Sequence, residues 1–344
     1  MQQVCKVEIF KRDFTFSGFS PIPQPEIAVD FLAPQKVTIR SVNATAQKGD
    51  YAHITDENGK TIYDGIVDDV TIEKKGCSLK LIPLLSIFDV DVFFNRNQLT
   101  KIEPFIAEVI TQNFIQNQDQ LQNVPGLSVQ INTETTGGLN LKDNIHSIYD
   151  MMISALKLYG IACNAEILPQ EKTIKVVIGK VMEDVTIEAD LSGIINKNIV
   201  IGDSFGQLNK VTIINKNDES QTATYYLHTN GSVDSIDENR ITPVFFEAQY
   251  IQSETDAFAD EAAEQAYDTL APQAYDNLIE LTAPTNGKIM PAELPIGTAA
   301  TIISAGNEYR SILTGYETSG ETTTLIFGIV RVDLTKILQM ERRM

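Results

Sequence analysis

Residues 49–91 read GDYAHITDENGKTIYDGIVDDVTIEKKGCSLKLIPLLSIFDVD, and residues 297–328 read GTAATIISAGNEYRSILTGYETSGETTTLIFG. Each opens on a glycine, alternates apolar and polar residues, turns at a glycine-containing tip, and runs back as a strand that begins with a tyrosine. The tips are Glu57, Asn58 and Gly59 in the first stretch and Ala305, Gly306 and Asn307 in the second. Period-two alternation on both sides of such a tip predicts a β-hairpin. Laid together from Tyr63 and Tyr309, the two run on without a gap and pair Ile66 with Ile312, Val67 with Leu313, Leu79 with Leu325 and Leu81 with Phe327. A slip of one residue would turn every apolar side chain to the wrong face. The match therefore predicts two like antiparallel sheets, with Ile66 and Ile312, and Leu81 and Phe327, at equivalent core positions.

The chain is longer than one core serves, since single cores stop growing at roughly 250 to 300 residues, so its 344 residues suit two to four domains. With 43% hydrophobic and 21% charged residues it reads as globular. Its net charge of −19 repels nucleic-acid phosphate and anionic lipid, which argues against nonspecific DNA binding. The longest apolar run, LIPLLSIF at residues 81–88, is far short of the roughly 20 residues of a membrane span, so no membrane anchor is expected. The N-terminal MQQVCKVEIFKRDFTF breaks its apolar residues with charges and has no signal-peptide core, so synthesis and folding in a cytoplasm are expected. Cys5, Cys77 and Cys163 are an odd, scattered set and read as free buried thiols.

Residues 1–97 are rich in short strands separated by Gly, Pro and Asn, as in a small antiparallel barrel or sandwich. At Thr100 the period changes: Thr100 and Glu103 have capping-box spacing, and Ile102, Phe105, Ile106, Val109 and Ile110 recur at helical intervals. A second helical face runs through Ile145, Ile148, Tyr149, Met152, Leu156 and Tyr159 to Gly160. IACNAEIL and TIKVVIG then flank PQEK as a hairpin, so residues 98–195 read as an α+β insertion. NKVTIINK and TATYYLH are assigned, within 196–235, to a second barrel completed by 292–335. Residues 236–291, with a helix capped at Ser253 and a strand around YDNLIELTA, form a smaller α+β insertion, and 336–344 is a tail. The expected fold is α+β, mainly β: two similar antiparallel β-barrel domains with two α+β insertion domains.

Catalytic signals are few. GDSFG at 202–206 fits the G-x-S-x-G nucleophile elbow, and Asp218 and His228 follow Ser204 in the chain order of an α/β-hydrolase triad. The elbow requires a helix directly after the serine, whereas QLNKVTIINK reads as a strand, so a plain glycine-rich connection is the better reading. His53, His146 and His228 are isolated, with no metal-ligand spacing; His53 is placed on a strand surface and His146 on the polar flank of its helix. Asp68 with Asp69 and Asp89 with Asp91 are candidate acid–base pairs, but Asp68 and Asp69, adjacent on a strand, face opposite ways and cannot share a proton, and solvated strand residues are the better reading. No catalytic, cofactor-binding or metal-ligating residue is assigned, no cofactor is implied, and no enzymatic activity is expected. A hydrolase acting on a cell-wall or surface polymer is the alternative.

The order of parts, together with DYAHITDENGKTIYDGIVDDV, LIPLLSIFDVDV, NKVTIINK with TATYYLHTNGSV, YRSILTGYE and LIFGIVRVDLTKIL, resembles the tail hub family of tailed bacteriophages, also called tail-associated or prophage endopeptidase tail proteins. The resemblance covers essentially the whole chain. It implies a homotrimeric ring at the distal end of the tail tube, adapting the sixfold tube to the threefold tip. Implied partners are a distal tail protein ring, a tape measure protein and tail-tip or spike proteins, with DNA passing through the channel without specific binding. The hub of a contractile injection machine would look alike. Longer family members continue into a cell-wall-degrading or receptor-binding region, whereas this sequence reaches Met344 soon after its second barrel, so no peptidase is expected. The implied location is the virion tail tip, after assembly in the bacterial host cytoplasm.

Overall fold

The computed structural model describes residues 4–74, 76–95, 99–139, 144–182, 184–191, 193–201, 209–228, 233–238, 240, 248–253, 258–270, 275, 277–285 and 294–330. The chain is mainly β with few helices. It divides into two compact units, one of residues 1–200 with 277–344 and one of residues 201–276.

The first unit begins with β1 (Val4–Phe10), β2 (Phe16–Pro23), β3 (Ile27–Asp30), β4 (Val37–Val42), β5 (Tyr51–Thr55), β6 (Thr61–Ile72) and β7 (Cys77–Pro83). Six of these form one antiparallel sheet in the order β2-β1-β5-β6-β7-β4. Its inward residues, among them Val7, Ile9, Ile39, Ile54, Val67, Leu79 and Leu81, make one buried cluster. The sheet curls until its ends approach: the Asn43 N–H donates to Ser20 Oγ at 3.0 Å, and Ser17 Oγ donates to the Thr45 carbonyl at 2.9 Å. The β5–β6 tip is fixed by Asp56, whose Oδ1 accepts from the N–H groups of Asn58 and Lys60, both at 2.8 Å.

A short ribbon and a helical layer follow: β8 (Asp91–Phe93), α1 (Ile102–Ile110), β9 (Leu127–Ile131), β10 (Ile145–Ser147), α2 (Ile148–Tyr159), β11 (Ala162–Leu168) and β12 (Thr173–Gly179). Strand β10 pairs with β8, and β12 is flanked by β11 antiparallel and β9 parallel. Helix α2 ends at Gly160 as its sequence predicts, and its N-terminal cap is Ser147. Ser147 Oγ accepts from the N–H groups of Tyr149 and Asp150, and Gly160 takes the left-handed conformation at φ 69°. It starts later than its apolar face suggests, because Ile145 and His146 belong to β10. The capping box expected at α1 does not form. Lys101 precedes the helix without a side-chain cap, and Glu103 is fully buried, accepting from Thr133 Oγ1 (2.7 Å), the Thr135 N–H (2.6 Å) and Thr135 Oγ1 (2.9 Å). A carboxylate three residues from a threonine satisfies the spacing rule, but two threonines some thirty positions on give it better donors.

The second sheet of this unit takes β13 (Asp184–Glu188), β14 (Asn196–Ile201) and, after the second unit, β19 (Asn277–Pro284), β20 (Ala299–Ser304), β21 (Asn307–Ser319) and β22 (Thr322–Phe327). Their order is β13-β20-β21-β22-β19-β14, with β3 added to β21. Between β14 and β19, the second unit holds β15 (Lys210–Asn215), β16 (Thr222–Leu227), β17 (Val233–Asp234), β18 (Ala248–Ser253) and α3 (Phe258–Leu270). Its sheet runs β17-β16-β15-β18, and Ala262, Ala266 and Leu270 of α3 pack on Val211, Ile213 and Leu227.

The boundaries drawn from sequence for the second barrel therefore change. NKVTIINK and TATYYLH belong to the separate unit, where β15 takes β16 and β18 as neighbours, while the strand around YDNLIELTA is β19 of the second large sheet. Alternation marks a strand but not the sheet it joins. Ser253, expected to cap α3, is the last residue of β18. Among the described residues no helix is long and apolar enough to cross a membrane.

Candidate functional site

The two quoted hairpins carry the same hydrogen-bonded ladder. In the first, Val67 opposes Leu81, the register shifts between Val67 and Asp69, and Asp69, Val70, Thr71 and Ile72 then oppose Lys80, Leu79, Ser78 and Cys77. In the second, Leu313 opposes Phe327, the register shifts between Leu313 and Gly315, and Gly315, Tyr316, Glu317 and Thr318 oppose Ile326, Leu325, Thr324 and Thr323. The β-bulge falls on Asp68 in one and Thr314 in the other, which are the positions the gapless match equates. Val67, Leu79, Leu81, Leu313, Leu325 and Phe327 are all buried, whereas Ile66 is half-buried against a buried Ile312, so that pair is not equal in the core. Beyond the hairpins the likeness continues: β4 pairs with β7 as β19 pairs with β22, opposing Val37 to Leu81 and Ile279 to Phe327.

Strand β3 joins the two sheets. Its backbone adds to β21, pairing Ile27, Ala28, Val29 and Asp30 with Thr318, Glu317, Tyr316 and Gly315, while the Ile27 side chain is buried in the core of the first sheet. The strand lies so close that a Cβ on Gly315 would sit 2.5 Å from the Val29 carbonyl oxygen, and only glycine admits this approach. Phe31 extends the link. Its N–H donates to the Thr314 carbonyl at 2.9 Å, and its own carbonyl accepts from the Tyr149 hydroxyl of α2 at 2.7 Å.

A cavity of about 280 Å³ lies at this junction, lined by β3, the start of β6, β11, residues 294–296 and Tyr316. Asp64 stands in its wall: one carboxylate oxygen meets His53 Nδ1 at 2.7 Å and the other accepts from the Ile167 N–H at 2.8 Å. Asn164 closes the far side by donating to the Ile296 carbonyl at 2.9 Å. Burial pushes the Tyr63 phenol up, with the neighbouring Tyr316 and Asp64 adding to it, and burial with the Asp64 charge pushes Tyr316 up to about 12. Burial likewise raises Cys163, so its sulfur is a thiol rather than the thiolate a nucleophile needs. The arrangement ties sheets and insertion together; it places no nucleophile beside a base.

The residues weighed for chemistry are placed as follows. Ser204 lies outside the described residues. His228 Nε2 meets Asp234 Oδ1 at 2.9 Å, whereas Asp218 sits in the β15–β16 turn, accepting from the Ser220 N–H and hydroxyl and from Gln221 Nε2, at the opposite end of that hairpin. Six-residue strands separate them by roughly 20 Å at about 3.3 Å per residue, so they do not form a pair. His53 is buried rather than on the surface. Its partner could have been found from sequence, since the hairpin register opposes it to Asp64. His146 is not on the helix flank; its ring lies 6.2 Å from that of Phe94. Asp68 at the bulge is paired with Lys36 (2.6 Å) and Lys48 (3.1 Å), Asp69 leans to Lys80 (3.9 Å), and Asp89 and Asp91 are exposed. Among the described residues no group of three His, Cys, Asp or Glu side chains converges as a metal site would require. Sequence reasoning does not single out Gly315 or Phe31, and it gives Tyr149 only a place on a helical face and Glu103 only a capping role; all four act through contacts distant in sequence.

No protein-family model matches the sequence, and no curated protein matches it. Solved structures do. A tail protein from Neisseria meningitidis is 13% identical over 94% of this chain and 96% of its own, with a TM-score of 0.54. The 43 kDa tail protein of prophage MuSo2 from Shewanella oneidensis is 12% identical over 95% and 98%, with a TM-score of 0.53. A chain of the phage P2 baseplate, in its activated conformation with Ca, is 13% identical over 94% and 98%, with a TM-score of 0.51. At such identities the likeness is one of fold, and it runs nearly end to end: this chain has the fold of phage tail and baseplate proteins.

Proposed function

We propose that the chain is a structural component of a phage or prophage tail, a hub subunit at the distal end of the tail tube. The observation that carries this reading is the repeated hairpin with its bulge at the same place, in a chain whose fold is that of tail and baseplate proteins over nearly its whole length. Each of the two curled sheets closes, in this reading, into a hub barrel. A trimer then presents six like units around its axis and meets a hexameric ring on one side while keeping threefold symmetry on the other. Three chains at −19 each give a negative channel wall, along which DNA passes without adhering. The partners in this reading are the chain itself, the ring above it, a tape measure protein and a tail-tip or spike protein. The 201–276 unit and the helical insertion are attachments to it in this reading.

Immunogold labelling of particles induced from the strain that encodes the chain tests this. Label confined to the tail tip is the expected result. Intact tails that carry no label, with the chain free in the lysate, would overturn it.

A further inference from the structure

The two hairpins differ in what lies along one edge. On β21, the side shared with β20 is continued by β3 at residues 315–318. On β6, the corresponding side is shared with β5 only as far as Ile66, extended by hydrogen bonds of Val67 with Gly49 and Asp50. No strand among the described residues pairs residues 69–72 there, and Ile72 at its end is 80% exposed. An open run of strand amides ending in an exposed isoleucine is a template for another strand.

Resting on the reading of the chain as a ring-forming hub, we infer that the β6 edge at Val70–Ile72 is where a second copy of this chain docks, by adding a strand of its second repeat. The inference follows from the direction of the contact already made. Strand β3 passes from the first repeat to the second, a head-to-tail contact between like units. Repeating that step requires a strand passing from a second repeat to a first repeat, and among the described residues of one chain the first repeat's edge has not received it. A head-to-tail contact is completed only by another copy, and its repetition closes a ring. The added strand sits differently from β3 at one point. Asp69 stands where the second repeat has Gly315, so the incoming strand pairs from Ile72 to Val70 and stops short of the carboxylate, which leans to Lys80.

The test is sedimentation velocity of the full chain over a concentration series up to about 1 mM, the range of weak association. Hydrogen exchange is followed on the same samples. The expected result is concentration-dependent association, with the amides of residues 70–72 slowing as the oligomer forms. Ile72→Glu should weaken association tenfold or more, while Phe19→Glu, which alters an exposed apolar residue on another strand of the same sheet, should leave it unchanged. Thermal melting of both variants confirms that they fold, as exposed positions allow. A chain that stays monomeric throughout, an oligomer unaffected by Ile72→Glu, or one whose 70–72 amides exchange as in the monomer would each overturn the inference. Tail-tip labelling is independent of this result, so loss of the edge contact and loss of the hub reading are told apart.

Discussion

The first and second hairpins share a ladder, a bulge and a buried pair at its base, yet they differ in three local respects. Strand β6 is entered from β5 through the Asp56–Lys60 loop, whereas β21 is entered from β20 through two residues, Ala305 at φ 50° and Gly306 at φ 80°, the left-handed pair of a type I′ turn. The first meets β1 antiparallel beside β5, and the second meets β13 parallel beside β20. The second takes β3 at its edge where the first carries Asp69. What is common is set by apolar alternation, which tolerates many residues. What differs is set by single positions where backbone comes close to backbone.

The equivalence can be broken most strongly at the shared base. Phe327→Ala and Leu81→Ala each remove a fully buried side chain from the same rung, so denaturant unfolding should show losses of about 4 and about 3 kcal/mol. A loss in one hairpin alone would mean that the rungs are not equivalent. Exchanging the residues at the edge sharpens the difference. Gly315→Asp brings a Cβ against the Val29 carbonyl and should cost about 3 kcal/mol by overpacking, while Asp69→Gly should cost less than about 1 kcal/mol. Hydrogen exchange should then show faster amides at 27–30 in Gly315→Asp alone.

These effects also mark how far the sequence could be read. The hairpin pairing and the end of helix α2 at Gly160 follow from local alternation and a local cap, and the structure has both as read. The destination of β3 does not follow. Four residues of alternating strand carry no record of a partner nearly three hundred positions away, and the Gly315 that admits them looks like any glycine in a strand. The same limit put β15 and β16 in the wrong sheet. Glu103 was misplaced for a related reason, since burial beside Thr133 and Thr135 outweighs a local spacing rule.

Two smaller effects refine the comparison. Tyr63 and Tyr309 occupy matching positions, but Tyr63 is buried and its hydroxyl has no partner among the described residues, whereas Tyr309 is half-buried. Replacing either by Phe should change stability by less than about 1 kcal/mol, Tyr63→Phe being neutral or stabilising; a larger loss would show that the phenol holds something in the cavity. At the bulge, hydrogen bonds from Lys36 and Lys48 hold Asp68 below the usual carboxylate range. Because its folded pKa is depressed, its contribution is present above the unfolded pKa and fades as pH falls through the folded value. Thr314, which donates to the Ile326 and Gly328 carbonyls, does not titrate. Acid titration followed by hydrogen exchange should therefore loosen the first bulge before the second, and added salt or Asp68→Asn should shrink that difference.

The central claim is that the two repeats of one chain act as like units of a ring. Electron cryomicroscopy of the assembled tail tip, reconstructed without imposed symmetry, tests it most directly. The account predicts three copies around an open channel, with first and second repeats alternating at successive sixths of a turn and sheet hydrogen bonding crossing from one copy to the next at β6. A twofold pair of chains, or a ring lined by only one of the two repeats, would contradict it.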